Sequence, residues 1–204
     1  MKTPVVWTLH DCWPMTGHCA YFEFVGCEKY KTACFSCPQT NNYPCSNFID
    51  RSSKNYNLKK ILFNSVNNVT IVPVSNWLGD IVTNSFLSKY PKKVIQNGID
   101  ITTFSPELKI TIKQKYKLKD KFVIIGVANI WEERKRLTNF IKLSKHLDSN
   151  YQILLVGLSK KQIIILPKPI IGIKKTESVS ELAELYSSAD IFLNPTWADN
   201  FSNY

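Results

Sequence analysis

The segment Lys121–Asn129, KFVIIGVAN, is apolar at nearly every position from Phe122 to Ala128. A strand with one buried face alternates apolar and polar residues. A strand that is apolar on both faces belongs inside a covered parallel sheet, and such sheets are built from α/β units. The residues that follow keep to this pattern. Leu137, Phe140, Ile141 and Leu147 are spaced for one face of a helix, and Tyr151–Gly157 (YQILLVG) is a second buried strand. Pro169–Ile173 reads as a third strand, Ser178–Ser187 as a helix with Leu182, Leu185 and Tyr186 inward, and Asp190–Asn194 (DIFLN) as a last strand.

The same alternation runs through the first half of the chain. Leu58, Ile61, Leu62 and Val66 have helical spacing, and Val69–Val74 (VTIVPV) is a β-branched strand. Ser75 then reads as the N-cap of a helix with Trp77, Leu78, Ile81 and Val82 on one face. Val94–Ile95 is a brief strand that closes on the turn dipeptide Asn97–Gly98. Thr102–Leu108 is a connector, with a short polar helix after it, so a boundary between two α/β lobes is expected near Asp100–Pro106.

With 26 Lys and Arg against 16 Asp and Glu, the net charge is +10. The lysines are scattered; no basic block of five or more and no RNP-type aromatic motif occurs, which argues against a nucleic-acid partner. A phosphate-bearing small ligand, or simply solvated lysines, fits this charge. No run of 18 apolar residues exists, and Val5–Leu9 is too short for a signal segment, interrupted as it is by His10 and Asp11. The expectation is a cytoplasmic protein.

All six cysteines fall between Cys12 and Cys45, in a stretch that reads as a long ordered loop. In a reducing compartment they are thiols or metal ligands before they are disulfides. Cys19, Cys27, Cys34 and Cys37 are spaced C-x7-C-x6-C-x2-C. Thiolates two apart can share a tetrahedral zinc ion. The other gaps are looser, so a structural zinc site, a buried thiol cluster and disulfides all stay open. His10 and His18 are further candidate ligands, while Cys12 and Cys45 are expected to pack.

A series of fragments, in order, carries a family resemblance: VVWTLHDCWPMTGHC, CFSCPQ, NYP, PVSNWL and VIQNGID, then IIGVANIWEERKRL, ILLVGLSKKQ and ELAELYSSADIFLNPTWADNF. Together they make the chain resemble glycosyltransferase family 4, the group 1 transferases, and within it the bacterial colanic-acid-type enzymes of surface-polysaccharide synthesis. The resemblance implies a GT-B fold of two Rossmann-like lobes, with ligands at the C-terminal ends of parallel strands. It maps residues 1–100 to the rear of an acceptor-side lobe, with the cysteine-rich loop at 12–45. Residues 101–120 become a connector and short helix, and 121–204 the front of a nucleotide-sugar donor lobe. Both lobes are then expected to be incomplete, which would impair turnover. The implied donor is a nucleotide sugar and the implied acceptor a glycan or lipid-linked sugar. Transfer would retain configuration and need no cofactor, and peripheral contact with the inner membrane face is compatible with such an acceptor.

Residue by residue, the resemblance assigns roles that the sequence alone leaves open. His10, with Asp11 beside it, ends a β-rich run; it is either satisfied by local backbone or, as in the family, set close to the reacting sugar. Arg134–Lys135–Arg136 is expected at the start of a helix, where three cations oppose the macrodipole unless an anion or Glu132 and Glu133 offset them. Lys135 matches the family's donor-phosphate lysine. Its arginine partner falls on Asn129, leaving Arg134 to supply the second cation, and the family's next glycine is Arg136. Asp199, Asn200 and Phe201 match the first half of an acidic donor-binding pair; the second acid would lie past Tyr204. A plain acidic turn is the alternative reading of Asp199. Of the tryptophans, Trp13 and Trp131 are the candidates for sugar stacking, while Trp7, Trp77 and Trp197 are expected in a core or wall.

Overall fold

The computed structural model describes residues 3–42, 44–46, 49–106, 111–118 and 120–197. They form two compact units, one ending at Asn97 and the other running Gly98–Trp197.

In the first unit, β1 (Val5–Leu9) leads into a long loop with three-ten turns at Trp13–Met15, Glu23–Val25 and Lys29–Lys31, followed by α1 (Ser52–Asn64), β2 (Val69–Pro73) and α2 (Asn76–Thr83). β1 and β2 pair in parallel, from Val5 opposite Val69 to Leu9 opposite Pro73. The stretch expected as a strand at Val94–Ile95 lies along the other side of β2. Lys93 N–H donates to Ile71 O at 2.9 Å and Ile95 N–H to Pro73 O at 3.1 Å. It forms an isolated bridge at Lys92 rather than a full strand, because the next ladder bond toward Val94 would need an N–H from Pro73, which has none. α2 starts where expected: the Ser75 hydroxyl accepts from Leu78 N–H at 3.2 Å, and Leu78, Ile81 and Val82 are buried.

The helix before β2 faces differently from its expected orientation. Leu58, Ile61 and Leu62 are exposed, Ile61 by 68%, and the buried residues of α1 are Ser52, Tyr56 and Lys59. The cause lies in the cysteine-rich loop, whose carbonyls need donors once covered. Tyr56 hydroxyl donates to Tyr30 O at 3.1 Å, and Lys59 Nζ donates to Trp13 O at 2.6 Å and Thr16 O at 2.9 Å. Polar-tipped side chains thus take the inward face. From the loop, Cys12, Met15, Cys19, Phe22 and Tyr30 share one core with Leu9, Ile71 and Leu78.

The second unit contains α3 (Thr111–Lys115), β3 (Phe122–Val127), α4 (Leu137–Ser144), β4 (Tyr151–Val156), α5 (Lys160–Ile164), β5 (Ile170–Ile173), α6 (Val179–Ser187) and β6 (Ile191–Phe192). Its sheet has the order β5-β4-β3-β6, with every pairing parallel. β3 feeds two cores: Val123 and Ile125 pack with Leu154, Val156 and Leu185, while Ile124 packs with Ile153, Leu155 and Phe140 on the opposite face. This is the arrangement that its two-sided apolarity requires. At the edge, Asp190 Oδ2 accepts from Val123 N–H at 2.7 Å, and Ile191 and Phe192 stay exposed. α5 has no apolar stripe to announce it and begins with a capping box between Ser159 and Gln162. No helix among the described residues is long and apolar enough to cross a membrane.

Candidate functional site

Because β3, β4 and β5 are parallel, their C-terminal ends open on one edge of the sheet, and the turns after them enclose a hollow of about 440 Å³. Its walls are Ala128–Trp131 after β3, Gly157–Ser159 after β4 and Lys174–Thr176 after β5, with Gln162 from α5. Backbone bonds tie the three turns together: Ala128 N–H to Val156 O at 3.1 Å, and Gly157 N–H to Ile173 O at 2.9 Å. Gln162 Nε2 donates to Trp131 O at 2.8 Å and fixes the first turn against α5. Asn129, one of the residues assigned to donor binding, is exposed in this hollow. Exposed Lys174 and Lys175 line it as well. The sequence motifs do not single them out, although a lysine pair directly after a short apolar strand is a readable signal.

The cationic turn is built otherwise than expected. Arg134 and Lys135 sit in a three-ten turn, Glu133–Lys135, with Lys135 N–H on Glu132 O at 2.9 Å. Arg136 adopts a left-handed conformation (φ 56°, ψ 46°), and α4 begins only at Leu137. The three cations therefore sit at the N-cap of α4 and the two positions before it, still beside the positive end of its macrodipole. The Arg136 guanidinium stacks over Trp197, 3.8 Å from the ring centroid. Both border a neighbouring hollow of about 400 Å³ shared with Glu132, Glu133, Asn139 and Lys142. Arg134 and Lys135 are half-buried and line neither hollow. Asp199, Asn200 and Phe201 lie outside the described residues.

Trp131 is not a free sugar platform. It is 7% exposed, donates through Nε1 to Val156 O at 2.8 Å and meets Phe140 edge-on. It is a wall of the hollow whose ring serves the core.

In the first unit, His10 and Asp11 follow β1 and line a hollow of about 410 Å³ with Trp7, Trp13, Ala20 and Pro44. His10 is exposed. Asp11 Oδ1 accepts from Trp13 N–H at 2.8 Å, so part of its role is to hold the turn that presents Trp13. Trp13 is partly exposed, and Lys59 Nζ lies 3.3 Å from its ring centroid. Lys59 is 8% exposed, and burial pushes its pKa down to about 8.

The six cysteines are all free thiols. Burial pushes Cys19 up to about 12, and the thiols of Cys37, Cys27 and Cys34 add to the shift. Burial also raises Cys12, Cys34 and Cys37. Among the described residues, no three His, Cys, Asp or Glu side chains are gathered at metal-holding separation.

No family model matches the chain. Over 101 residues, 48% of its length, it is 39% identical to WcaC of Escherichia coli K12, described as a colanic acid biosynthesis glycosyl transferase; the match spans 24% of that protein. Its structure is similar to Anabaena HepE in complex with UDP-glucose, with TM-score 0.61 and 17% identity, covering 97% of this chain and 48% of that one. It is also similar to sucrose-phosphate synthase of Thermosynechococcus elongatus, with TM-score 0.59 and 14% identity, covering 83% of this chain and 45% of that one. The fold is that of the GT-B glycosyltransferases. The sequence resemblance to a colanic-acid-type transferase covers just under half of the chain, and the chain spans less than half the length of each of these proteins.

Proposed function

We propose that this chain is the nucleotide-sugar-binding part of a glycosyltransferase of surface-polysaccharide synthesis. The observation that carries the reading is the hollow at the C-terminal ends of β3, β4 and β5, with Asn129, Lys174 and Lys175 on its walls. Parallel α/β sheets bind ligands at this edge, and a lysine-lined hollow suits a diphosphate. The structural relatives bound to UDP and UDP-glucose support a uridine-linked sugar as the first donor to try.

In this reading an acceptor hydroxyl, on a glycan or a lipid-linked sugar, attacks the anomeric carbon as its bond to the diphosphate breaks. Configuration is retained. By the resemblance, Lys135 and Arg134 neutralise the departing diphosphate from outside the hollow whose walls carry Lys174 and Lys175, Asp199, Asn200 and Phe201 hold the donor, and His10, presented beside Asp11, orients the sugar. Catalysis then rests on positioning and charge stabilisation, with no metal required for transfer.

Calorimetric titration with UDP tests the reading. Binding is expected, and Lys135→Ala should weaken it by about 1.5–3 kcal/mol, the range for charge-assisted hydrogen bonds. Equal affinity of the two proteins removes Lys135 from the site. A second reading, nucleotide binding without turnover, is favoured by Arg134 and Lys135 lining neither hollow. Turnover of the donor separates the two readings.

A further inference from the structure

We infer that Lys59 is a positioning residue: it holds Trp13 rigid at the rim of the His10 hollow, as a flat wall on which a pyranose ring stacks. The geometry of one side chain carries this. Lys59 reaches from α1 to the three-ten turn Trp13–Met15, and its Nζ donates to Trp13 O at 2.6 Å and to Thr16 O at 2.9 Å. The same Nζ lies 3.3 Å from the centroid of the Trp13 ring. One ammonium therefore fixes both the backbone and the ring of a single residue.

The other bonds of the turn act on that residue too. Asp11 Oδ1 accepts from Trp13 N–H at 2.8 Å, and the Trp13 carbonyl also accepts from Thr16 N–H at 3.3 Å. Pro14 follows, with its φ fixed by its own ring. Pro14 and Met15 are buried, whereas Trp13 is 44% exposed. A tryptophan that served only to fill the core would be covered; this one is immobilised and left open. The ammonium covers one face of the indole, so its exposure belongs to the other face and the edges.

Holding the ring this way is costly. Lys59 is buried, and no ion pair reaches it among the described residues. An unpaired buried cation is unfavourable. The return comes on binding, because a ring that is already fixed loses no further freedom when a ligand stacks on it.

The walls of the hollow give the class of ligand. Trp7, Trp13 and Pro44 supply apolar surfaces, and His10 and Asp11 supply polar groups between them. No lysine or arginine lines it among the described residues, unlike the hollow after β3, so it does not suit a diphosphate. A pyranose has an apolar C–H face and a rim of hydroxyls, which match an aromatic wall with a few convergent polar groups. Calling this sugar the acceptor rests on the glycosyltransferase reading; the stacking contact does not.

The test is NMR of the full chain, nitrogen-labelled and titrated with methyl β-glucopyranoside and methyl β-galactopyranoside. The chain has five tryptophans, and the Trp13 indole signal is the one absent from Trp13→Phe. Either sugar should shift it, and saturation transfer to the sugar C–H protons should vanish in Trp13→Ala. Lys59→Met keeps the aliphatic stem and removes the charge and both hydrogen bonds. It should weaken sugar binding roughly fivefold, the scale of one cation–π contact, with UDP affinity unchanged. Lys59→Arg, which stacks on an indole and still donates, should restore most of it. Lys60→Met, exposed on the same helix, should change neither affinity. A Trp13 signal unmoved by both sugars overturns the inference, and so does wild-type sugar affinity in Lys59→Met. Where Lys59→Met does not fold, relaxation of the wild-type Trp13 indole N–H decides: an order parameter near 0.85 is expected, and one below about 0.6 overturns the inference. UDP binding beside an unmoved Trp13 signal sinks the stacking wall and leaves the functional reading standing. Sugar binding at Trp13 without UDP binding keeps the wall and sinks the donor reading.

Discussion

Gly157 stands so close to the end of β3 that a Cβ on it would lie 1.5 Å from the Ala128 carbonyl oxygen. Its φ of 93° is also closed to ordinary L-residues. The two turns that open the hollow after β3 and β4 are packed backbone to backbone here, and a side chain would force them apart. Gly157→Ala should therefore cost about 3 kcal/mol or more, combining backbone strain with overpacking. Urea unfolding measures it. A midpoint equal to that of the parent protein means that the turn after β4 moves freely and the hollow is not rigid.

Arg136 holds the left-handed position between the cationic turn and α4. The resemblance places a glycine there, and its geometry explains why: a side chain in this region costs roughly 1–2 kcal/mol. Arg136 also stacks on Trp197, so replacing it changes two things at once. Comparing Arg136→Gly with Arg136→Ala separates them, since both lose the stack and only glycine relieves the backbone. The glycine variant should be more stable than the alanine variant by about 1 kcal/mol. Equal stabilities mean that the turn relaxes out of the left-handed region.

Glu181, in the first turn of α6, pairs with Lys115 of α3 at 2.8 Å and accepts from Glu177 N–H at 2.7 Å. The Lys115 hydrogen bond, then the Glu177 N–H, hold its carboxyl below the usual range. A depressed folded-state pKa means stability that is present above the unfolded value, near 4.3, and lost as pH falls through the folded one. Glu181→Gln keeps an acceptor for Glu177 but loses the charge. It should cost about 0.5–1 kcal/mol at pH 7, the scale of a partly exposed pair. The gap should close as pH drops below about 4. A pH-independent gap assigns the loss to packing rather than charge.

The second unit is the more legible of the two because its strands carry their own evidence. Residues Val123–Gly126 have to be apolar on both faces to sit between two cores, and no other element explains that run. β6 is readable as a strand but shorter than its sequence suggests, since at a sheet edge only Ile191 and Phe192 form the regular ladder. α1 is legible as a helix and misleading as a face. Its inward side is chosen by Tyr56 and Lys59 reaching loop carbonyls, a demand set by residues some 26 to 46 positions away. The hollow at the ends of β3, β4 and β5 is half legible: Asn129 can be named from its fragment, but Lys174 and Lys175 join it only because β5 pairs with β4. Trp131 reads as a sugar platform in the sequence, and only the fold shows its indole N–H satisfying Val156 O across the sheet.

Asn129 offers a gain-of-function prediction. It is exposed on the wall of the hollow that the turn carrying Lys174 and Lys175 also lines, at the position where the resemblance places an arginine. An asparagine amide presents two neutral N–H donors; a guanidinium presents a charged planar fork that grips phosphate oxygens in pairs. If the hollow holds a diphosphate, Asn129→Arg should tighten UDP binding by roughly tenfold, about 1.4 kcal/mol. The gain should shrink as salt rises, because an exposed charge is screened over about 10 Å at 0.1 M. Uridine, which has no phosphate, should gain almost nothing, and this comparison separates a phosphate contact from general electrostatic attraction or altered folding. Calorimetry across the two ligands and two salt concentrations reads all of it. An unchanged UDP affinity, or an equal gain for uridine, places the diphosphate away from Asn129 and removes the hollow's anionic ligand from the functional reading.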